Sequence, residues 1–341
     1  MTTSDAGSAQ GAHPDQTELI DTFGRVHRDL RVSVTDRCNF RCTYCMPEEG
    51  MEWLPRDDLL TFEEIHRLAR VLVERHGLES IRLTGGEPTI RHNLPVLVEM
   101  LSDLGTDLAL TTNGATLRSM APKLADAGLK RINISLDSLD RERFERLTRR
   151  DELDRVLDGI DAAVEAGLDP VKINVVAMRG VNDDELVDFA VFGRERGVEV
   201  RFIEWMPLDA DEGWSNDRVL AQAEIVEAIG NVFPLEPVVR GNEPAERFRY
   251  LDGKGSIGVI ASVTQAFCGN CDRMRLTAEC QFRNCLLAVT EPDLRTLLRS
   301  GASDEELSAA MVGSIKDKWA GHQIGQVHFI RPKRSMSQIG G

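Results

Sequence analysis

From about residue 30 to residue 205, short apolar runs alternate with longer stretches in which apolar positions recur at helical spacing. The alternation predicts strands near 30–35, 80–84, 107–112, 131–136, 171–176 and 199–204. It predicts helices near 62–76, 94–104, 117–127, 141–166 and 183–196, the fourth of them broken. Thr61 and Glu64 are spaced as a capping box. Gly77, Gly105, Gly128, Gly167 and Gly197 stand where helices should end. Six strand–helix units in succession imply a parallel sheet but fall short of a closed TIM barrel. Periodicity leaves a doubly wound sheet and an open barrel both standing.

The strand faces add chemistry. Parallel strands covered on both sides should be apolar on both faces, yet Arg31, Ser33 and Thr35 share one face, as do Arg82 and Thr84, Asn133, Ser135 and Asp137, and Lys172 and Asn174. The opposite faces are Val, Ile and Leu. Unpartnered buried charge is costly, so the polar face is expected to line a wet cavity, with its cations facing an anionic ligand; internal ion pairing is the alternative. The sixth strand is less regular, because Arg201 shares its face with Ile203 and Trp205.

After about Pro207 the alternation stops. A helix near 222–229, strands near 246–251, 256–261, 273–277 and 284–289, and further helices are expected. The division is a tail over 1–20, a barrel domain over 21–207, a smaller domain over 208–330 and a tail over 331–341 ending Gly-Gly. The net charge of −15, from 41 basic and 56 acidic residues, argues against nucleic-acid or membrane-surface binding. No apolar run is long enough for a membrane span, and the opening residues lack a signal-peptide pattern. Seven histidines without ligand-like spacing read as surface residues. Seven cysteines in two groups fit a reduced cytosol and metal binding.

The first group, Cys38, Cys42 and Cys45 in DRCNFRCTYCM, directly follows the first strand. Three thiolates so close cannot pair off as disulfides. Iron–sulfur clusters are held by Cys, normally four to a cubane, so three ligands would leave one iron open. A zinc site, which wants four ligands, and unrelated buried cysteines are the rival readings. The second group is Cys268, Cys271, Cys280 and Cys285, a spacing that also permits a four-Cys zinc ribbon. Between them, Arg273 and Arg275 would point the same way on an extended segment and suit phosphate recognition; a solvated basic edge is the alternative.

C-x3-C-x2-C with Tyr44 before the last Cys resembles the radical S-adenosylmethionine (SAM) superfamily, and Asp21–Gly50 resembles, more narrowly, the GTP 3′,8-cyclase family of molybdenum cofactor biosynthesis. The similarity runs from about Asp21 to Gly341. It implies an open (β/α)6 partial TIM-type barrel with a smaller C-terminal cluster-binding domain. It implies two 4Fe–4S clusters, held by Cys38, Cys42 and Cys45 and by Cys268, Cys271 and Cys285, with Cys280 left over. SAM would be contacted by Tyr44, Gly86, Ser135 and Met206, and GTP by Arg31, Arg82, Thr111, Lys172, Arg273, Met274 and Arg275. Arg273, Gly340 and Gly341 would serve catalysis, the two glycines from a tail threaded into the site.

The implied reaction is a lyase step: hydrogen abstraction from the GTP ribose at C3′ and closure onto guanine C8. A cytoplasmic enzyme is implied, whose product passes to a cyclic pyranopterin monophosphate synthase and whose electrons come from a flavodoxin-like donor; a homodimer is a further expectation. A peptide-modifying radical SAM enzyme and an iron–sulfur or zinc regulatory protein are the alternatives. The first would want a peptide groove in place of paired arginines, and the acidic charge opposes the second.

Overall fold

The computed structural model describes residues 16–208, 213–239, 241, 243–324, 326 and 329–340. Six parallel strands lie side by side in chain order: β1 (Asp29–Ser33), β2 (Ser80–Thr84), β3 (Asp107–Thr112), β4 (Arg131–Ser135), β5 (Val171–Ala177) and β6 (Glu199–Glu204). Between them run α1 (Phe62–His76), α2 (Leu94–Ser102), α3 (Leu117–Asp126), α4 (Arg141–Thr148), α5 (Leu153–Glu165) and α6 (Leu186–Arg196). Thr61 and Glu64 cap α1 reciprocally, and the five helix-ending glycines all take positive φ. The expected break falls after α4, where Arg149 adopts the left-handed conformation.

The rest of the chain extends the same sheet at both edges. β9 (Ser256–Ile260) lies parallel beside β6, followed outward by antiparallel β8 (Glu246–Tyr250) and β7 (Leu235–Pro237). On the other side β10 (Arg273–Leu276) lies parallel beside β1 and pairs with β11 (Phe282–Arg283). The described sheet is therefore an open barrel with eleven strands. Beyond β6 lie α7 (Gln222–Gly230), α8 (Leu294–Arg299), α9 (Asp304–Lys316) and α10 (Met336–Ile339). No described helix is long and apolar enough to cross a membrane.

The outward strand residues Val32, Ile81, Leu83, Leu110, Ile134, Ile173 and Phe202 are essentially fully buried in one cluster beneath the helices. At about 1.5–3 kcal/mol for each large apolar side chain removed from water, this layer fixes which strand face points inward.

Several expectations change. Residues 284–289 form no strand; that segment carries Cys285 around the cavity, and Arg283 donates to the carbonyls of Leu286 and Ala288. Residues 16–20, expected in the tail, are tied down: Leu19 is buried, and Thr17 N donates to Arg75 O at 2.8 Å. Residues 1–15 lie outside the described residues. His27 and His76 are buried rather than superficial. The His76 ring sits between Thr17 O at 2.7 Å and Ser308 Oγ at 2.8 Å, and the His27 ring lies 3.6 Å from the Asp21 carboxylate.

Candidate active site

The first cysteine loop is held by its own backbone. Gly86 N donates to Thr35 O and Glu87 N to Arg37 O, each at 2.7 Å, lashing the end of β2 to the loop. A Cβ on Gly86 would lie 2.2 Å from Arg37 O, and one on Gly85 2.5 Å from Thr35 O. These glycines are therefore required by the meeting of two main chains. Arg41 Nη1 donates to the carbonyls of Cys38 and Phe40 at 2.7 Å, and Arg150 Nε to Asn39 O at 3.0 Å.

Burial pushes the Cys38 thiol up to about 11 and the Cys45 thiol up to about 12, and raises the Cys42 thiol well above its ordinary value. The charge of Cys45, Asp137 and Cys38 adds to the effect of burial at Cys42. Phe40 N donates to Cys38 Sγ at 3.4 Å, and Asn113 Nδ2 lies 3.9 Å from the same sulfur. Three soft donors on one short loop, with N–H groups directed at the Cys38 sulfur, are the donor set an iron–sulfur cluster takes.

Arg275, Arg31 and Arg82 stand in register across adjacent strands β10, β1 and β2. They line one cavity with Thr111, Met206 and Arg273. Buried Nε atoms of Arg31 and Arg82 have no hydrogen-bond partner among the described residues. Burial lowers the affinity of Arg31 and Arg275 for their protons, and neighbouring guanidiniums lower it further; burial takes Arg82 down to about 9. Crowded cations with orphaned donors make a site for an anion. Arg201 takes the path of internal pairing, to Glu199 and Glu243 at 2.6 Å.

Cys268, Cys271 and Cys285 line the same cavity as the arginines. Burial alone would raise the Cys271 thiol, but Arg273 and Lys318 bring it down to about 7. Arg273 donates to Cys271 Sγ from Nε at 3.3 Å and Nη2 at 3.2 Å, and its guanidinium lies over the Phe267 ring. This trio also fits a cluster. Cys280 does not join it: it packs in the main apolar core at φ 69° and feels the charges of Glu64 and Asp293. That placement sets Cys280 apart from the three cavity-lining cysteines.

The chain's last described residues run back into this cavity. Met336 lines it, Ser337 hydrogen-bonds the Cys45 thiol, and Gly340 N donates to Met336 O. Gly340 has φ +87°, and a Cβ there would lie 2.9 Å from Thr84 Cγ2. Gly341 lies outside the described residues.

Other expected residues fall less simply. Lys172 faces a neighbouring cavity at the opposite end of the strands, which shares Arg82 and Arg201 with the first. The Met274 side chain is buried in the outer core, on the strand face opposite Arg273 and Arg275, away from the cavity they line. Tyr44 donates to Asp137 Oδ2 at 2.5 Å, and burial pushes Asp137 up to about 6. Ser135, at the end of β4, is half-buried.

Glu87, just beyond β2, and Glu204, the last residue of β6, were not among the expected site residues. The Glu87 carboxylate accepts from Thr89, Thr112 and Asn113, joining the ends of β2 and β3. Glu204 accepts from Gln222, Val263 and Thr264, fixing the strand end that carries Met206. Their only sequence signal was a carboxylate at a strand terminus.

The model for the Radical SAM superfamily matches residues 32–193, and that for Molybdenum Cofactor Synthesis C matches residues 198–324. In fold the chain resembles Streptococcus suis SuiB bound to S-adenosylmethionine, with a TM-score of 0.61 at 15% identity, covering 86% of this chain and 69% of that one. At that identity the likeness concerns fold alone. The chain is 49% identical to the GTP 3′,8-cyclase of Streptomyces coelicolor, over 98% of this chain and 99% of the relative. It is 46% identical to that of Rhodopirellula baltica, over 98% of this chain and 97% of the relative. The fold and paired cysteine sites thus define a radical SAM protein. Within that superfamily, the chain belongs to the GTP 3′,8-cyclase family.

Proposed function

We propose that the chain is a lyase that cyclises GTP to (8S)-3′,8-cyclo-7,8-dihydroguanosine 5′-triphosphate, the first step of molybdenum cofactor biosynthesis. The observation that carries this reading is the row of Arg275, Arg31 and Arg82 beside Cys268, Cys271 and Cys285, which joins an anion site to a second cluster site.

Cys38, Cys42 and Cys45 hold the first cluster, and Cys268, Cys271 and Cys285 the second. When bound, the clusters and SAM supply the one-electron chemistry that removes a hydrogen atom from the ribose. Tyr44, Gly86, Ser135 and Met206 form the SAM side. Arg31, Arg82 and Arg275 meet the triphosphate and relieve their mutual repulsion, with Lys172 reached through the neighbouring cavity. Thr111, Met274 and Arg273 complete the nucleotide contacts. Gly340 closes the cavity from the side of Ser33 and Thr84, and the Gly-Gly end serves catalysis by shielding the reacting ribose from water. The barrel portion over 21–207 carries the first site and the portion over 208–330 the second.

Electrons come from a flavodoxin-like donor that meets the protein at the first cysteine loop. Arg37 and Arg150 are exposed there, and Arg41 lies 5.3 Å over Trp53. The product passes to a cyclic pyranopterin monophosphate synthase. We place the enzyme in the cytoplasm and take a homodimer as its assembly. Incubation with GTP deuterated at C3′ tests the reaction: deuterium should appear in 5′-deoxyadenosine, and its absence there during turnover would exclude abstraction from that carbon.

A further inference from the structure

Lys318 follows α9 and is 4% exposed. Its Nζ lies 2.9 Å from Arg273 O, 3.2 Å from Cys271 O and 3.7 Å from Cys271 Sγ. All three neighbours are acceptors, which matches the three donors of an ammonium and exceeds the two of a neutral amine. No carboxylate among the described residues lies within ion-pair distance of it.

Arg25 provides the contrast. It holds the carbonyls of Cys268, Trp319 and Ala320 but has its own counter-charge, with Nε 2.5 Å from Asp21 Oδ2. A buried cation that reaches a thiol sulfur, with no carboxylate at ion-pair distance among the described residues, suits the anionic form of that site.

We infer that Lys318 is a positioning residue for the second cluster: its ammonium orients Cys271 as a ligand and offsets the cluster's negative charge, raising its reduction potential. The inference rests on the proposed assignment of Cys268, Cys271 and Cys285 as cluster ligands. Hydrogen bonds and nearby charge at the sulfurs are among the determinants of such potentials. Lys318 itself does not line the nucleotide cavity.

The test uses full-length protein carrying Cys38→Ala, Cys42→Ala and Cys45→Ala, so that only the second cluster remains. After anaerobic reconstitution, iron is counted and the midpoint potential is read by a dithionite titration followed by electron paramagnetic resonance. With Lys318 intact the protein should hold about four irons. Lys318→Met and Lys318→Gln should each lower the midpoint by about 59 mV or more, a tenfold change in a one-electron equilibrium, or lose the iron. Lys318→Arg should restore both iron and midpoint. Unchanged iron and midpoint in the Met and Gln variants would overturn the inference, as would an Arg variant as impaired as they are. Absence of iron with Lys318 intact would instead overturn the ligand assignment, and the role of Lys318 with it.

Discussion

Arg275 Nη1 donates a hydrogen bond to the main-chain oxygen of Gly340, 65 positions further along the chain. One cavity wall thus holds the segment that closes the cavity. Backbone ordering costs about 1–2 kcal/mol per residue, and the buried contacts of Ser337 and Ile339 help offset it. Deleting Gly340 and Gly341 should leave iron content and melting temperature near wild type while abolishing the cyclic product. A peptide of residues 331–341 should restore turnover. Gly340→Val should mimic the deletion, because the position combines positive φ with contact against Thr84. Wild-type turnover in the truncated protein would remove the segment from the mechanism.

The unpaired arginines should trade stability for binding. Replacing a buried unpaired charge with an apolar side chain removes a desolvation penalty, so Arg82→Met is expected to raise the melting temperature of nucleotide-free protein, by about 1 kcal/mol or more in stability. Losing one charge-assisted hydrogen bond, about 1.5–3 kcal/mol, should weaken GTP binding roughly ten- to a hundredfold. SAM cleavage without GTP should persist. Calorimetry and equilibrium dialysis read the two effects separately; an Arg82→Met protein that is less stable and binds GTP normally would contradict the anion-site reading.

Lys172 should make nucleotide affinity depend on pH. Burial and then Arg201 lower its pKa to about 8, so the free site keeps its cation below that pH and loses it above. A bound triphosphate favours the charged lysine and raises its pKa. GTP affinity should therefore fall as pH rises from about 8 towards the bound-state value. Equilibrium dialysis across this range checks it, and Lys172→Met should flatten that part of the curve. The same slope in wild type and variant would assign the dependence to another group.

The inward polar face was legible because a parallel strand buried on both faces has no reason to carry Arg31 or Arg82. Cys38, Cys42 and Cys45 were legible because their spacing is local. The register bringing Arg275 beside Arg31 was not, since it depends on pairing between β10 and β1 across some two-thirds of the chain. Local pattern likewise cannot show that β9 and β10 extend opposite edges of one sheet. Nor can it show that His27 is buried, because the strands and loops that cover it are remote in sequence. Met274 sits between two cavity arginines, and the strand's alternation turns its side chain away.

Cys280 should be dispensable for iron but not neutral for stability. A serine hydroxyl in its apolar surroundings costs about 1–3 kcal/mol, so Cys280→Ser should melt lower while retaining full iron content and activity. Loss of half the iron, with the remaining cluster intact, would return Cys280 to the ligand set.

On the proposed function, one cavity joins SAM chemistry to GTP. Anaerobically reconstituted protein, carrying about eight irons per chain on the two-cubane reading, is incubated with SAM, dithionite and each nucleoside triphosphate in turn, and products are identified by mass spectrometry. GTP alone should yield a product isomeric with the substrate and cyclised between C3′ and C8, together with 5′-deoxyadenosine. Formation of 5′-deoxyadenosine with GTP unchanged, or equal conversion of ATP, would contradict it.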